Sequence, residues 1–122
     1  MKDTPPKMDS RSAIDALAAL AQETRLKVFR LLVQTGPEGL AAGEIARRLE
    51  VPPATLSFHL NHLETAGLIT SERQQRRIIY TADYAGMRGL LHFLTQDCCQ
   101  GRPELCGDLV AACEPGADGG PR

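Results

Sequence analysis

"AAGEIARRLEVPPATLSFHLNHLETAGLI", residues 41–69 of a 122-residue chain, decides the fold. Ile45 and Leu49 stand four apart and predict a short amphipathic helix whose Arg47 and Arg48 face outward. "EVPP" breaks it, because the residue ahead of a proline is driven out of the helical region. A longer helix resumes around Ala54, with Leu56, Leu60 and Leu63 at i, i+4 and i+7, and Gly67 can supply a left-handed C-cap. Two short helices across a tight turn predict a helix-turn-helix. "LITSERQQRRIIYTA" (68–82) follows, with two β-prone runs around a polar tip. That tip, Arg73 to Arg77, predicts a hairpin exposed to solvent.

Working outward, Ile14, Leu17, Ala18 and Ala21 recur at i, i+3, i+4 and i+7 and predict the apolar face of a first helix. Leu26, Phe29 and Val33 line a second helix, widened by Leu31 and Leu32 and stopped by "TGPEG" (35–39). Beyond Asp83, a candidate N-cap, Tyr84, Met87, Leu90, Leu91 and Leu94 keep helical spacing to about Gln96. Five elements have by then supplied a core, so the broad apolar face of this last helix is surplus. The first helix offers a similar face, and a partner surface is the expected use of both. The expected organisation is a disordered arm over 1–11, one domain over 12–96, a cysteine-containing segment over 97–113 and a disordered tail over 114–122.

A chain of this length supports one small core, which association would enlarge. No run of about 18 apolar residues is present, so no membrane span is expected. The opening "MKDTPPKMDSRS" lacks the apolar stretch of a signal peptide, and a cytoplasmic protein is the expectation. Net charge is −1, which disfavours nucleic acid until it is divided along the chain. Residues 1–43 carry six basic and five acidic groups, 44–81 five and four, and 82–122 three and six. The acidic excess therefore sits at the C-terminal end, and the middle is free to bind DNA through the placement of its cations.

With Leu60 at zero and 100° per residue, Leu56 and Leu63 fall within about 60° of it and mark the buried side of the longer helix. The opposite side carries Ala54, Thr55, Phe58, Asn61, His62 and Thr65, flanked by Ser57 and His59. Thr55, Ser57, Phe58, His59 and His62 are expected to face the major groove of double-stranded operator DNA, Phe58 against a thymine methyl and the polar groups toward base edges or phosphates. Arg73, Gln75, Arg76 and Arg77 at the hairpin tip suit phosphate or minor-groove contact, which needs charge and reach but no fixed base code.

Together "ALAQETRLKVFRLLV", "GEIARRLEVPPATLSFHLNHLETAGLI" and "QQRRIIYTA" resemble the ArsR/SmtB family of metal-responsive repressors, over roughly residues 12–96. The resemblance implies a mainly α winged helix-turn-helix with a small β-hairpin. It also implies a homodimer paired through its first and last helices on a palindromic operator and released by an inducer ion. Family members hold inducers at different places. A "CVC"-like motif at the start of the first helix of the helix-turn-helix is absent, since "GEIARRL" stands there. The zinc set of the last helix is incomplete, with Asp83 and His92 only.

What remains is "QDCCQGRPELC" (96–106) and the more distant Cys113. In the reducing cytosol clustered cysteines are more often metal-binding or redox-active than structural. Gly101 and Pro103 break any helix, and six intervening residues can loop Cys106 back over Cys98 and Cys99. Three thiolates suit trivalent arsenic or antimony, and the resemblance to C-terminal-cysteine arsenite repressors covers Cys98, Cys99 and Cys106, with Cys113 as an accessory. Zinc, cadmium or lead stay open, with Cys113, Asp97 or His92 as a fourth ligand. A redox pair of Cys98 or Cys99 with Cys106 is the other reading of the same thiols. A thiol-dependent arsenic reductase is less favoured, because no positioned base or phosphate-binding loop accompanies the cysteines. No enzyme and no organic cofactor are expected.

Overall fold

The computed structural model describes residues 8–96. Residues 1–7 and 97–122, and with them Cys98, Cys99, Cys106, Cys113 and the C-terminal tail, lie outside the described residues. The elements run α1 (Ser10–Leu20), α2 (Glu23–Thr35), β1 (Leu40–Ala41), α3 (Ala42–Leu49), α4 (Pro53–Thr65), β2 (Ile69–Gln74), β3 (Arg77–Ala82) and α5 (Tyr84–Thr95). This is a mostly helical fold carrying one small antiparallel sheet in the order β1-β3-β2, a winged helix-turn-helix. Among the described residues no helix is long and apolar enough to cross a membrane.

Local chemistry sets the helix ends. The Asp9 carboxylate accepts the Ser12 amide at 2.9 Å and starts α1 at Ser10, so the ordered domain begins ahead of residue 12 and Met8 already packs on the core. The Gln22 side chain does the same for α2, and the Asp83 carboxylate caps α5 by accepting Gly86 N–H at 3.0 Å. Pro53 occupies the first turn of α4, where its missing N–H leaves nothing unpaired. At the far end of α4, Gly67 takes φ +83, and its amide and that of Leu68 return to the carbonyls of Glu64 and Leu63. This double return turns the chain directly into β2.

The core is built from Val28, Phe29 and Leu32 of α2, Ile45 of α3, Leu56, Leu60 and Leu63 of α4, and Leu68, Ile69 and Leu90. Each such aliphatic side chain contributes about 1.5–3 kcal/mol on burial. The contribution of α1 differs from the sequence expectation. Its inward residues are Ala13, Ala16 and Ala19, whereas Ile14 and Leu17 are 55% and 41% exposed, and Ala18 and Ala21 also face out. α1 packs on α2, α4 and α5 together, and it is the alanine side that meets them. In α2, likewise, Val28 rather than Leu26 is buried.

The two-residue strand β1 has no signal in the sequence pattern. Leu40 and Ala41 pair with Tyr80 and Ile79 of β3, and Gly39 makes the approach feasible. A Cβ on Gly39, at φ +67, would collide with the Tyr80 carbonyl and lie 2.6 Å from Thr81 Cγ2. Between β2 and β3 the register runs from Ile69↔Ala82 to Gln74↔Arg77. Only Ile69, Ile79 and Ala82 of this hairpin are buried, so its distal half projects from the body as a wing. Gln75 closes the turn with φ 59, a conformation that primed two-residue turns require and that an L residue adopts at some cost.

The start of α5 meets the end of α4 through bare backbone. Asp83 N–H donates to the Leu68 carbonyl at 2.8 Å, and a Cβ on Gly86 would collide with the Gly67 carbonyl oxygen.

Candidate nucleic-acid interface

α3 ends at Leu49, and Glu50 adopts the left-handed conformation with φ 56. Its amide and that of Val51 return to the carbonyls of Arg47 and Ala46, and Pro52 then sets the start of α4. Arg47 and Arg48 point outward as expected, and both bind Glu44, Arg48 Nε at 2.7 Å from Oε2. These two guanidiniums hold the Glu44 carboxyl down at a pKa of about 2.

On α4, Leu56, Leu60 and Leu63 are buried, and Thr55, Ser57, Phe58, Asn61 and His62 are exposed. Phe58 is a large aromatic left 65% exposed. Its ring lies edge-on to His59 with centroids 5.5 Å apart and to His62 at 6.3 Å.

His59 departs from expectation. It is 8% exposed and lies with the leucines, so it does not flank a groove-facing surface. Arg25 of α2 explains the burial. Its Nη1 lies 3.2 Å from His59 Nδ1, its Nε donates to the Ala19 carbonyl at 2.7 Å, and its own amide is capped by Gln22. Arg25 can only donate, so Nδ1 accepts and the neutral ring carries its proton on Nε2. Burial first, then the Arg25 charge and His62, lower the His59 pKa and favour that neutral form. Arg25 thus ties the end of α1 to α4, a role that no local pattern around residue 25 announces.

Arg73, Gln75, Arg76 and Arg77 are all exposed on the wing, and among the described residues none of these arginines forms an ion pair. The wing is fixed to α4 at its base, where Ser71 Oγ donates to Glu64 Oε2 at 2.8 Å. Thr70 and Thr81 hydroxyls meet across the strands at 3.0 Å. An outer helix side of hydroxyl, amide, imidazole and aromatic groups therefore stands beside a cationic arm, the combination that base edges and phosphates require. Among the described residues no three of His, Cys, Asp or Glu cluster closely enough to hold a metal.

The chain is similar to known proteins. A family profile described as a helix-turn-helix domain matches residues 20–72. The transcriptional activator HlyU of Vibrio cholerae is 29% identical over 92 residues, which cover 75% of this chain and 82% of HlyU. Its solved structure superposes with a TM-score of 0.57 at 32% identity, covering 71% of this chain and 97% of that one. A protein of Halobacterium salinarum that carries the name of an arsenical resistance operon repressor, ArsR, is 38% identical over 60 residues, covering 49% of this chain and 46% of its own. The homodimeric winged helix-turn-helix DNA-binding domain of Mb0332 from Mycobacterium bovis, an ArsR-family candidate, superposes with a TM-score of 0.58 at 28% identity, covering 80% of this chain and 84% of that domain.

Proposed function

Since the chain belongs with the helix-turn-helix transcriptional regulators, we propose that it is a cytoplasmic homodimeric repressor of the ArsR family, released from its operator when As(III) or Sb(III) binds Cys98, Cys99 and Cys106. The observation that carries the DNA-binding part is the juxtaposition of the exposed α4 side with the exposed arginines of the wing. Thr55, Ser57, Phe58 and His62 enter the major groove, and Arg73, Gln75, Arg76 and Arg77 take the phosphates alongside.

The dimer follows from what folding leaves outside. Ile14 and Leu17 of α1 and Leu94 of α5, 50% exposed, are large apolar groups that the described residues leave uncovered. Pairing through these two helices buries them and places two α4 helices for successive major grooves. The homodimeric state of the Mb0332 domain supports a homodimer here.

The inducer is assigned on the donor set and on the name of the Halobacterium relative. Three thiolates fit a trivalent thiophilic ion, which needs no fourth ligand, and Cys113 is an accessory. The cysteines follow α5 directly in the chain, so ordering them around an ion repositions the dimer helices and changes the spacing of the α4 pair. A tenfold loss of operator affinity needs a coupling of only about 1.4 kcal/mol.

Operator binding measured with and without arsenite tests the assignment. The native chain should be released and Cys99→Ser should stay bound. Equal release of both would remove the cysteines from the site, and release by peroxide alone would transfer the same thiols to redox sensing. The wing is tested separately. Changing both Arg76 and Arg77 to Ala should weaken binding to every DNA sequence and reduce the dependence on salt, whereas an unchanged salt slope would take the wing out of the interface.

A further inference from the structure

We propose that the outer side of α4 reads an A·T base pair, Phe58 through the 5-methyl group of thymine and Asn61 through the N6 and N7 edge of adenine. The inference rests on the DNA-binding reading above and adds to it the base that is recognised.

α4 is PATLSFHLNHLET, with no lysine and no arginine. The commonest specific contact in a major groove, a guanidinium bridging O6 and N7 of guanine, therefore cannot come from this helix. The wing arginines are mounted on a separate arm, fixed to α4 at its base through Ser71 and Glu64. Base reading falls to uncharged groups.

Phe58 is the largest of them. Left 65% exposed, it gains little from folding, and its burial is deferred to complex formation. The rings of His59 and His62 stand edge-on beside it, and His59 is itself held by Arg25. In the major groove the base edges offer one apolar protrusion, the thymine methyl. A phenyl group placed against it selects it over the bare C5–H of cytosine.

Asn61 lies three residues on, one turn along the same exposed side. Among the described residues its side chain makes no hydrogen bond, in contrast to Glu64, which is engaged by Ser71. A free carboxamide offers one acceptor and two donors, the pattern that pairs with N6–H and N7 of adenine together. Adenine and the thymine methyl lie on one base pair or on neighbours, so residues one helical turn apart can read them jointly.

The test uses the full chain and does not require that the operator be identified. A random duplex library is selected on the wild-type protein, and the recovered duplex is remade one position at a time with deoxyuridine for thymidine or with 7-deazaadenine for adenine. Wild-type affinity should fall about fourfold where a contacted methyl is removed and about tenfold where a contacted N7 is removed. Phe58→Ala should bind thymidine and deoxyuridine duplexes equally, and Asn61→Ala should be indifferent to 7-deazaadenine. The wild-type arm needs no variant, and Phe58→Leu keeps an apolar group should Phe58→Ala fail to fold. Wild-type binding unchanged by both analogues would overturn the inference while leaving the DNA-binding reading intact. Recovery of no duplex at all would overturn both.

Discussion

α1 and α4 are both amphipathic, and they dispose of their large residues in opposite ways. α4 buries Leu56, Leu60 and Leu63 and keeps short polar groups outside, Phe58 apart. α1 buries Ala13, Ala16 and Ala19 and keeps Ile14 and Leu17 outside. α1 meets α2, α4 and α5 through alanine methyl groups, whereas α4 meets α1, α2, α3 and β2 and buries leucines among them. An apolar stripe therefore names the side on which hydrophobic surface is available, and not the side on which the monomer uses it. In α1 that surface is what the proposed dimer would bury, and in α4 the one large exposed group is what the proposed DNA contact would use.

Substitutions on the two helices should separate in size accordingly. Leu60→Ala empties a fully buried position and should cost about 2–5 kcal/mol in urea unfolding. Phe58→Ala, on the opposite side of the same helix, should stay within about 0.5 kcal/mol of wild type, and a loss as large as that of Leu60→Ala would show that Phe58 belongs to the core.

In α1 the order reverses. Ala16→Leu adds bulk where Ala16 is fully buried and should destabilise by about 1–3 kcal/mol. Leu17→Ser should leave the unfolding of each subunit nearly unchanged and shift the monomer–dimer equilibrium in sedimentation toward monomer. A dimer untouched by Leu17→Ser would separate α1 from the subunit contact.

The smallest effect belongs to the imidazole buried with the leucines of α4. The unfolded chain protonates His59 near 6.5, and the folded chain, where burial, Arg25 and His62 oppose the charge, does so only at lower pH. The unfolded state thus binds more protons in that window. Stability should be level above about pH 6.5 and decline as pH falls below it, down to the native pKa. His59→Gln retains an acceptor for Arg25 and should make the decline shallower. An equal slope in the two proteins would assign the acid sensitivity to other groups.

Much of this fold was legible because its signals are local. The break at "EVPP", the Gly67 cap, the Asp83 cap and the tip from Arg73 to Arg77 all stand where the sequence places them. The exposed placement of Thr55, Ser57, Phe58 and His62 follows from helical rotation alone. What was not legible depends on partners distant in the chain. β1 has two residues, too few to show alternation, and exists because Gly39 lets the backbone reach β3. The side that α1 buries is the one that meets three other helices. His59 sits on the flank next to the leucine row, and its inward position depends on Arg25, thirty-four residues earlier. The cysteine segment lies outside the described residues, so its chemistry rests on donor type and spacing.

The bare contact between Gly67 and Gly86 has a mechanical consequence. With two peptides touching and the Asp83–Leu68 hydrogen bond beside them, the near end of α5 cannot slide along the end of α4 without breaking that bond. Tilting about the contact is resisted in turn by Leu90, buried in the core, and by Tyr84, Met87 and Phe93 packed against it. Measured from the contact, the 12 residues of α5 reach about 18 Å. Over that length a displacement of about 2 Å at the far end corresponds to a tilt of about 6° at the end that adjoins α4.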